Sequence, residues 1–448
     1  MSITGRLRSL WPRKKTSPLR RPEPAPAPPR RPNSPSTADR RPEAPAVALP
    51  RFHTTAADHV DRERSDPRAR ERVRLRNSFM PAQPVADPRM FAGRRDILEV
   101  LIRAVEDQRS HVMIFGERGA GKTSLLRMLS RAAGEAKYIV VYFSCGATSD
   151  FSETFRTVAT EIPLLYHSSI SPISSNSDIG TSLSDLLGPG KLTPRLFGDA
   201  AAKLVGTRVL VVLDEFDRAE SPEFRRDVAE LIKTLSDVSA RLQLIIAGVA
   251  SDLSDLMEHI PSIRRSVAAV RVPAMADAEV TALIENGSRM SGVKFDARAT
   301  ELVVSAARGS PYLTNLLCHV GGMLALDDGR LQVELEDVAR ALEDVIEDFR
   351  RRLPQQLVQH LDEAAVGIDK AGATPESGAH TSDATVKAAR NGARSPLTSN
   401  VSARVLAKLA KEGVQDGSKP AAYALMLDSV TPYLQLKSAR EKFLADAA

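Results

Sequence analysis

A chain of 448 residues, 42 % apolar but only 4 % aromatic, is long enough for two or three domains with cores mainly of Leu, Val, Ile and Ala. Its two cysteines, Cys145 and Cys318, lack metal-ligand or C-x-x-C spacing, which excludes a disulfide framework; no apolar run approaches the ~20 residues of a membrane span and the first residues hold no secretory core, so the expected location is the cytoplasm. The net charge of +6 is unevenly spread, since Lys and Arg number 19 and Asp and Glu 8 before residue 81, against 43 and 48 thereafter, and the basic character belongs to the N-terminal stretch.

Residues 1–80 are rich in Pro, Arg, Ala and Ser, with Arg-Arg-Pro recurring at 20, 30 and 40. So little apolar surface cannot offset the entropy of ordering, and a disordered tail is expected, either a tether to nucleic acid, acidic lipid or a partner's groove, or a solvated spacer. Order is expected from about Phe79. Ile97 to Val105 has helical apolar spacing, and strands are predicted at 111–115, 138–143, 209–213, 242–247 and 267–272. Helices are predicted between them from Lys122 to Ala133, Phe151 to Ile162, before Val205, and Pro222 to Leu235. Strands and helices in alternation predict an α/β fold, a doubly wound parallel sheet, over residues 81–275. The Ser-, Gly- and Pro-rich stretch 163–194 reads as a long surface insertion. From Asp277 the pattern is helical only, at 277–290, 297–308, 311–325 and 335–352, which defines a second domain at 276–352. Residues 353–448 form a third unit, with helices near 384–391 and 401–412 and a strand-like alternation at Tyr423, Leu425 and Leu427.

Two motifs carry chemistry. Val112 to Phe115 runs into Gly116-Glu117-Arg118-Gly119-Ala120-Gly121-Lys122-Thr123-Ser124, the G-x-x-x-x-G-K-[ST] phosphate-binding loop between a strand and a helix. Its glycines let backbone N–H groups wrap a polyphosphate, the helix beginning at Lys122 aims its positive end there, Lys122 reaches the β- and γ-phosphates, and the Thr123 hydroxyl is placed for Mg²⁺. The strand V-L-V-V-L at 209–213 ends in Asp214-Glu215, at the strand end where open α/β sheets bind ligands. Asp214 is assigned to the Mg²⁺ shell and Glu215 to deprotonating the attacking water. The expected cofactors are ATP and Mg²⁺, and the expected activity is ATP hydrolysis.

These motifs, with the helical domain that follows, resemble the AAA+ P-loop ATPases, in particular the branch holding origin-recognition and STAND ATPases. Phe91-Ala92-Gly93-Arg94 is similar to that group's hydrophobic-hydrophobic-Gly-Arg motif, which implies that Phe91 and Arg94 lie by adenine. Gly309-Ser310-Pro311 resembles the G-x-P motif of STAND lids, implying that Pro311 faces the nucleotide. The resemblance makes Ser251 the nearest sensor-1 candidate and Arg265, ahead of Arg264, the arginine finger supplied to a neighbouring copy, hence a homo-oligomer. The simpler readings of Ser251 and Arg265 are a helix cap and a solvated surface charge. No arginine fills the sensor-2 position, where the chain reads S-P-Y, and a slow switch rather than a motor is implied.

The C-terminal order of helices and paired strands resembles a winged-helix module. Arg404, Lys408 and Lys411 would line one helix face, as DNA backbone contact requires, yet residues 355–448 carry 11 basic and 10 acidic side chains and so offer no net field. Two function classes follow. One is an oligomeric ATP-driven switch acting on DNA; the other is a STAND-like signalling or defence ATPase whose C-terminal region binds a protein partner.

Overall fold

The structure, a computed structural model, describes residues 68–85, 87–169, 181–238, 240–248, 265–355, 357–359, 361 and 420–447. Five parallel strands form the central sheet in the order β2-β3-β4-β1-β5: β1 His111–Phe115, β2 Ile139–Ser144, β3 Val209–Asp214, β4 Leu242–Gly248 and β5 Val267–Arg271. β3 and β4 are buried along their whole length, as β-branched runs covered on both faces should be. Successive side chains leave a strand on opposite faces. Val209, Val211 and Leu213 therefore join one core with Phe151, Phe155 and Phe197, whereas Leu210 and Val212 join another with Leu101, Leu125 and Leu129.

The first of those faces is covered by α4 (Phe151–Thr160), α5 (Pro194–Ala201) and α6 (Pro222–Asp237), and the second by α2 (Arg95–Glu106) and α3 (Lys122–Glu135). Each helix of the first group starts on a side-chain cap: Asp150 accepts from the Glu153 N–H, Thr193 from Leu196 and Ser221 from Phe224. Such caps satisfy N–H groups that have no partner within the helix. The described parts of the stretch 163–194, residues 163–169 and 181–194, are less superficial than the composition predicts. Leu164, Leu183 and Leu192 are buried, the last two in the first core, and Pro163 bridges Ser182, so these residues serve as a cover beside α4 while Leu165 and Leu186 stay exposed.

The lid comprises α7 (Asp277–Ser291), α8 (Ala297–Ala307), α9 (Pro311–Asp327) and α10 (Leu335–Arg352). It departs from the helical-only expectation in one place, where β6 (Lys294–Phe295) and β7 (Gln332–Val333) pair in parallel. Beside that pair, Asp337 is 1 % exposed and receives both Arg330 Nη1 (2.7 Å) and Nη2 (2.6 Å) as well as the Glu334 N–H (2.9 Å). Burial alone would raise the Asp337 pKa, but the Arg330 guanidinium and the Glu334 N–H outweigh it and hold the carboxyl below its ordinary value. A depressed carboxylate pKa stabilises the fold above the unfolded value, about 3.9, and that stability is lost as pH falls through the folded value. Asp337→Asn should therefore destabilise the lid by about 1–3 kcal/mol near neutral pH, since Arg330 loses its two shortest charged bonds and is left to Asp328 and Glu334. The deficit in urea unfolding free energy should shrink as pH falls below about 4, where the unfolded carboxyl takes up a proton first and the folded one at lower pH.

Two expectations are corrected at the ends of the described chain. Order starts before Phe79, with α1 (Ala69–Ser78), whose Leu75 lies with Phe79 in the lid core against α7 and α9. Arg72 pairs with Asp327 at 2.5 Å and Arg68 donates to the Gly329 carbonyl, so the last turns of the basic stretch belong to the lid. At the other end, Tyr423, Leu425 and Leu427 lie in a helix, α11 (Pro420–Ala447), where the winged-helix reading placed paired strands. Its residues from Val430 to Ala439 pack on α8 and α10, because a helical stripe of Val430, Tyr433, Leu434 and Leu436 finds an apolar seat there. The helices expected at 384–391 and 401–412, with Arg404, Lys408 and Lys411, lie outside the described residues. Among the described residues no helix is long and apolar enough to cross a membrane.

Candidate functional site

The loop after β1 takes its shape from three glycines, for two different reasons. Gly119 and Gly121 have φ of 74° and 88°, the left-handed region that other residues enter at a cost. Gly116 needs closeness instead, for a Cβ there would lie 2.4 Å from the Val272 carbonyl oxygen beyond β5. Lys122, at the start of α3, is buried and donates from Nζ to the carbonyls of Gly116 and Glu117, both at 2.9 Å. Burial pushes its pKa down to about 8, and Asp217 and Asp214 oppose that shift. The ammonium thus sits inside the loop, on acceptors it can exchange for phosphate oxygens. Glu117 and Arg118 are exposed on the loop's outside, Ala120 is buried beneath it, and the Ser124 hydroxyl accepts the Val85 N–H at 3.1 Å.

Asp214 shares the parity of Leu210 and Val212 and so faces α3. Its Oδ2 accepts from Thr123 Oγ1 at 2.8 Å and from the Tyr142 hydroxyl at 2.5 Å, while Oδ1 accepts the Glu215 N–H at 2.8 Å. Tyr142 was not singled out by the sequence. Its ring carries the Arg127 guanidinium at 4.3 Å, and burial, then the Asp214 hydrogen bond, push its pKa above the ordinary range, so it remains a donor. The clue available in the sequence was parity, since Tyr142 opposes Val212 and Ser144 opposes Asp214. Thr123 and Asp214 supply hard oxygens at one point beside the loop, and no group of three His, Cys, Asp or Glu able to hold a metal exists among the described residues. That donor set fits Mg²⁺, which keeps most of its shell as water and phosphate oxygens.

Glu215 adopts φ 53°, ψ 36° and opens a tight 3-10 turn, Phe216–Arg218. Its Oε2 accepts from Arg218 Nη1 at 2.8 Å and from Ser144 Oγ at 3.2 Å. Cys145, next along, is buried, and burial pushes its thiol up to about 12, with Asp214, Asp217 and Glu215 adding to the shift, which leaves it unreactive.

The lid contributes Gly309-Ser310-Pro311. A Cβ on Gly119 would lie 3.5 Å from Ser310 Oγ, and one on Gly121 3.5 Å from Pro311 Cγ, so this turn lies directly on the phosphate loop. Ser310 caps α9 and Pro311 occupies its first turn, which aims the positive end of that helix at the loop. Arg94 is 5 % exposed in a left-handed conformation; its N–H donates to Glu279 Oε1 and its Nη2 to the Pro273 carbonyl, joining core to lid. Its Nε and Nη1 are buried without a hydrogen-bond partner. Phe91, three residues earlier, is half-buried against the α2–α3 core.

The structure brings Lys122, Thr123, Asp214 and Glu215 together but sets Arg265 apart. Arg265 is exposed just before β5, next to Ser266, whose carbonyl accepts from His111 at the start of β1. The loop follows the other end of β1, and five strand residues put about 16 Å between the two levels. Arg265 is therefore remote from its own loop. Ser251 and Arg264 lie outside the described residues.

The family model for Novel STAND NTPase 1 matches residues 82–332, from the segment that binds Ser124 to the second strand of the lid. The chain belongs to that family. It is thus a STAND-type P-loop NTPase, as the resemblance of its motifs implied, and the match ends before α10 and α11. Among solved structures the chain is similar to the ORC2 protein of Aeropyrum pernix, with 19 % identity over 81 % of this chain and 98 % of that one and a TM-score of 0.46. It is also similar to Cdc6p of Pyrobaculum aerophilum (17 %, 81 % and 98 %, TM-score 0.44) and to the Thermotoga maritima RuvB Holliday junction branch migration motor (16 %, 65 % and 81 %, TM-score 0.40). No curated protein matches.

Proposed function

We propose that this STAND NTPase binds ATP with Mg²⁺ and hydrolyses it slowly, as a switch that signals through a protein partner. The observation that carries the reading is the convergence of Lys122, Thr123 and Asp214 around one loop, with Glu215 adjacent. Lys122 exchanges its loop carbonyls for β- and γ-phosphate oxygens; Thr123 and Asp214 hold Mg²⁺, which offsets phosphate charge. Water attacks the γ-phosphorus as the bond to the β–γ bridging oxygen breaks, ADP leaves, and Glu215 takes the proton released by the water. The two unpaired donors of Arg94, at the hinge of core and lid, suit acceptors on the adenine edge. Pro311 and Ser310 couple the lid to the phosphates, so lid position follows the state of the nucleotide. A protein rather than DNA is favoured as the target because α11 packs on the lid in place of the strands of a winged helix. Partner capture that is insensitive to salt would support this, and a duplex affinity that falls steeply with salt would overturn it in favour of DNA.

Assembly is part of the proposal, and it rests on Arg265. Far from its own loop and exposed, Arg265 suits the site of a neighbouring copy. Arg265→Ala should lower turnover by about tenfold or more while leaving ATP affinity intact, and wild-type turnover per subunit should rise with protein concentration. Turnover identical in both proteins and independent of concentration would remove Arg265 from the site; Arg264→Ala is the control.

A further inference from the structure

We infer that Asp217 is a further carboxylate of the nucleotide site, one that orients the attacking water from the tip of β4. The inference rests on the reading that ATP is hydrolysed at this loop. Its first support is place. Asp217 closes the run Asp214-Glu215-Phe216-Asp217, and the 3-10 turn carries it sideways from β3 onto the neighbouring strand. A Cβ on Gly248 would lie 2.9 Å from Asp217 Oδ1, 3.4 Å from its N and 3.5 Å from its Cβ, so the carboxylate takes the room that a side chain at the end of β4 would fill. β4 stands between β3 and β1, and Gly248 pairs with Phe115, the residue before the phosphate loop. Asp217 is thus roughly one strand spacing, about 4.8 Å, from the strand that feeds the loop.

The second support is electrostatic. Of the carboxylates that act on the Lys122 ammonium, Asp217 acts most strongly, ahead of Asp214, although Asp214 is bonded to the residue next to Lys122. Lys122 marks where the β- and γ-phosphates come, so Asp217 borders the γ-phosphate end. The third support is rigidity. Phe216 is buried beneath the turn, and Arg225 of α6 donates Nη2 to the Asp217 carbonyl at 3.1 Å and Nε to that of Ala219 at 2.9 Å. A carboxylate so held is repelled by phosphate but accepts a hydrogen bond from a water standing between them. One O–H of that water is held by Asp217 and the other proton passes to Glu215, as the new P–O bond forms and the bond to the β–γ bridging oxygen breaks. Orientation and proton transfer then fall to different groups.

The test is turnover by the full chain, with calorimetric affinities for ADP and for a non-hydrolysable ATP analogue, both with Mg²⁺. Asp217→Asn keeps the shape and removes the charge. It should lower kcat by about tenfold to a hundredfold, yet bind the analogue about threefold to tenfold more tightly, because a negative charge leaves the γ-phosphate end. ADP, which lacks that phosphate, should gain less. Such opposed changes in rate and affinity separate a place at the water from mere support of the turn. Asp217→Glu keeps the charge and should hold the analogue affinity near wild type, with an intermediate kcat. Gly248→Ala, whose methyl meets Oδ1, should lower kcat several-fold at unchanged affinity. An Asp217→Asn protein with wild-type kcat, or with both affinities lowered together, overturns the inference. Glu215→Gln separates it from the wider reading: if that variant is inactive and Asp217→Asn turns over normally, only the role of Asp217 falls. If no form hydrolyses ATP, the proposed hydrolysis falls and takes the oriented water with it.

Discussion

Lys122→Ala should lose ATP affinity by about a hundredfold or more, and Glu215→Gln should keep it while turnover drops by at least about a hundredfold. The first figure follows from removing charge-assisted hydrogen bonds to phosphate that act in the ground state; the second is the usual contribution of a general base, felt only in the transition state. Calorimetry with a non-hydrolysable ATP analogue reads the affinities and single-turnover kinetics reads the chemistry. Equal loss of affinity in both variants would show that Glu215 belongs to binding. The lowered pKa of Lys122, about 8, adds a proton signature. Without ligand the ammonium deprotonates as pH rises through 8, whereas bound phosphate favours the charged form. Near pH 8 the wild type should therefore take up protons on binding, seen as a dependence of the apparent enthalpy on the buffer, and Lys122→Ala should not.

The second large effect concerns stability at the α1 seam. Phe79 is fully buried beside Phe295, at 5.7 Å and edge-on, and faces a gap that exists only because position 287 of α7 is glycine: a Cβ there would lie 2.0 Å from Phe79 Cζ. Phe79→Ala should cost about 3–5 kcal/mol in lid stability through the cavity it leaves. Gly287→Ala should cost about 1–3 kcal/mol by pushing the ring out, despite the better helix propensity of alanine. In the double variant the new methyl enters the cavity, so the loss should be smaller than the sum, and a double-mutant cycle in urea reads the difference. Additive losses would mean that the ring and the glycine do not meet. Gly322, where a Cβ would lie 2.7 Å from Leu75 Cδ2, offers the same test one helix away.

What could be read from the sequence tracks how local each signal is. The five strands were legible because buried parallel strands are continuous apolar runs, and the phosphate loop because a nine-residue stretch carries its whole mechanism. Asp214 and Glu215 were found by position at a strand end. Tyr142, Arg127, Ser144 and Arg218 were not, since each acts through a neighbour in space or through a turn whose tightness only the backbone reveals. The helix α1 is hidden for a similar reason. It holds four arginines to one buried leucine, and its partners Gly287 and Gly322 lie more than 200 residues onward. β6 and β7, two residues each, are too short to show a period. Tyr423, Leu425 and Leu427 matched an alternation over five residues, while the helix that contains them runs from Pro420 to Ala447 and passes through Pro432, a residue that normally ends one.

The lid also imposes an order on biosynthesis. His319 of α9 bonds the Phe79 carbonyl across 240 residues, and Arg68 reaches Gly329 across 261, while Arg308 and Glu343 meet Ser438 and Arg440 of α11. The nucleotide-binding sheet is complete once Arg271 has been made. At roughly 5–20 residues per second, α1 then leaves the ribosome some ten to fifty seconds before its seat does, with Leu75 and Phe79 uncovered throughout. The core can thus engage nucleotide while the chain is still growing, whereas the lid core stays without the cover of α11 until residues past Ala439 are made.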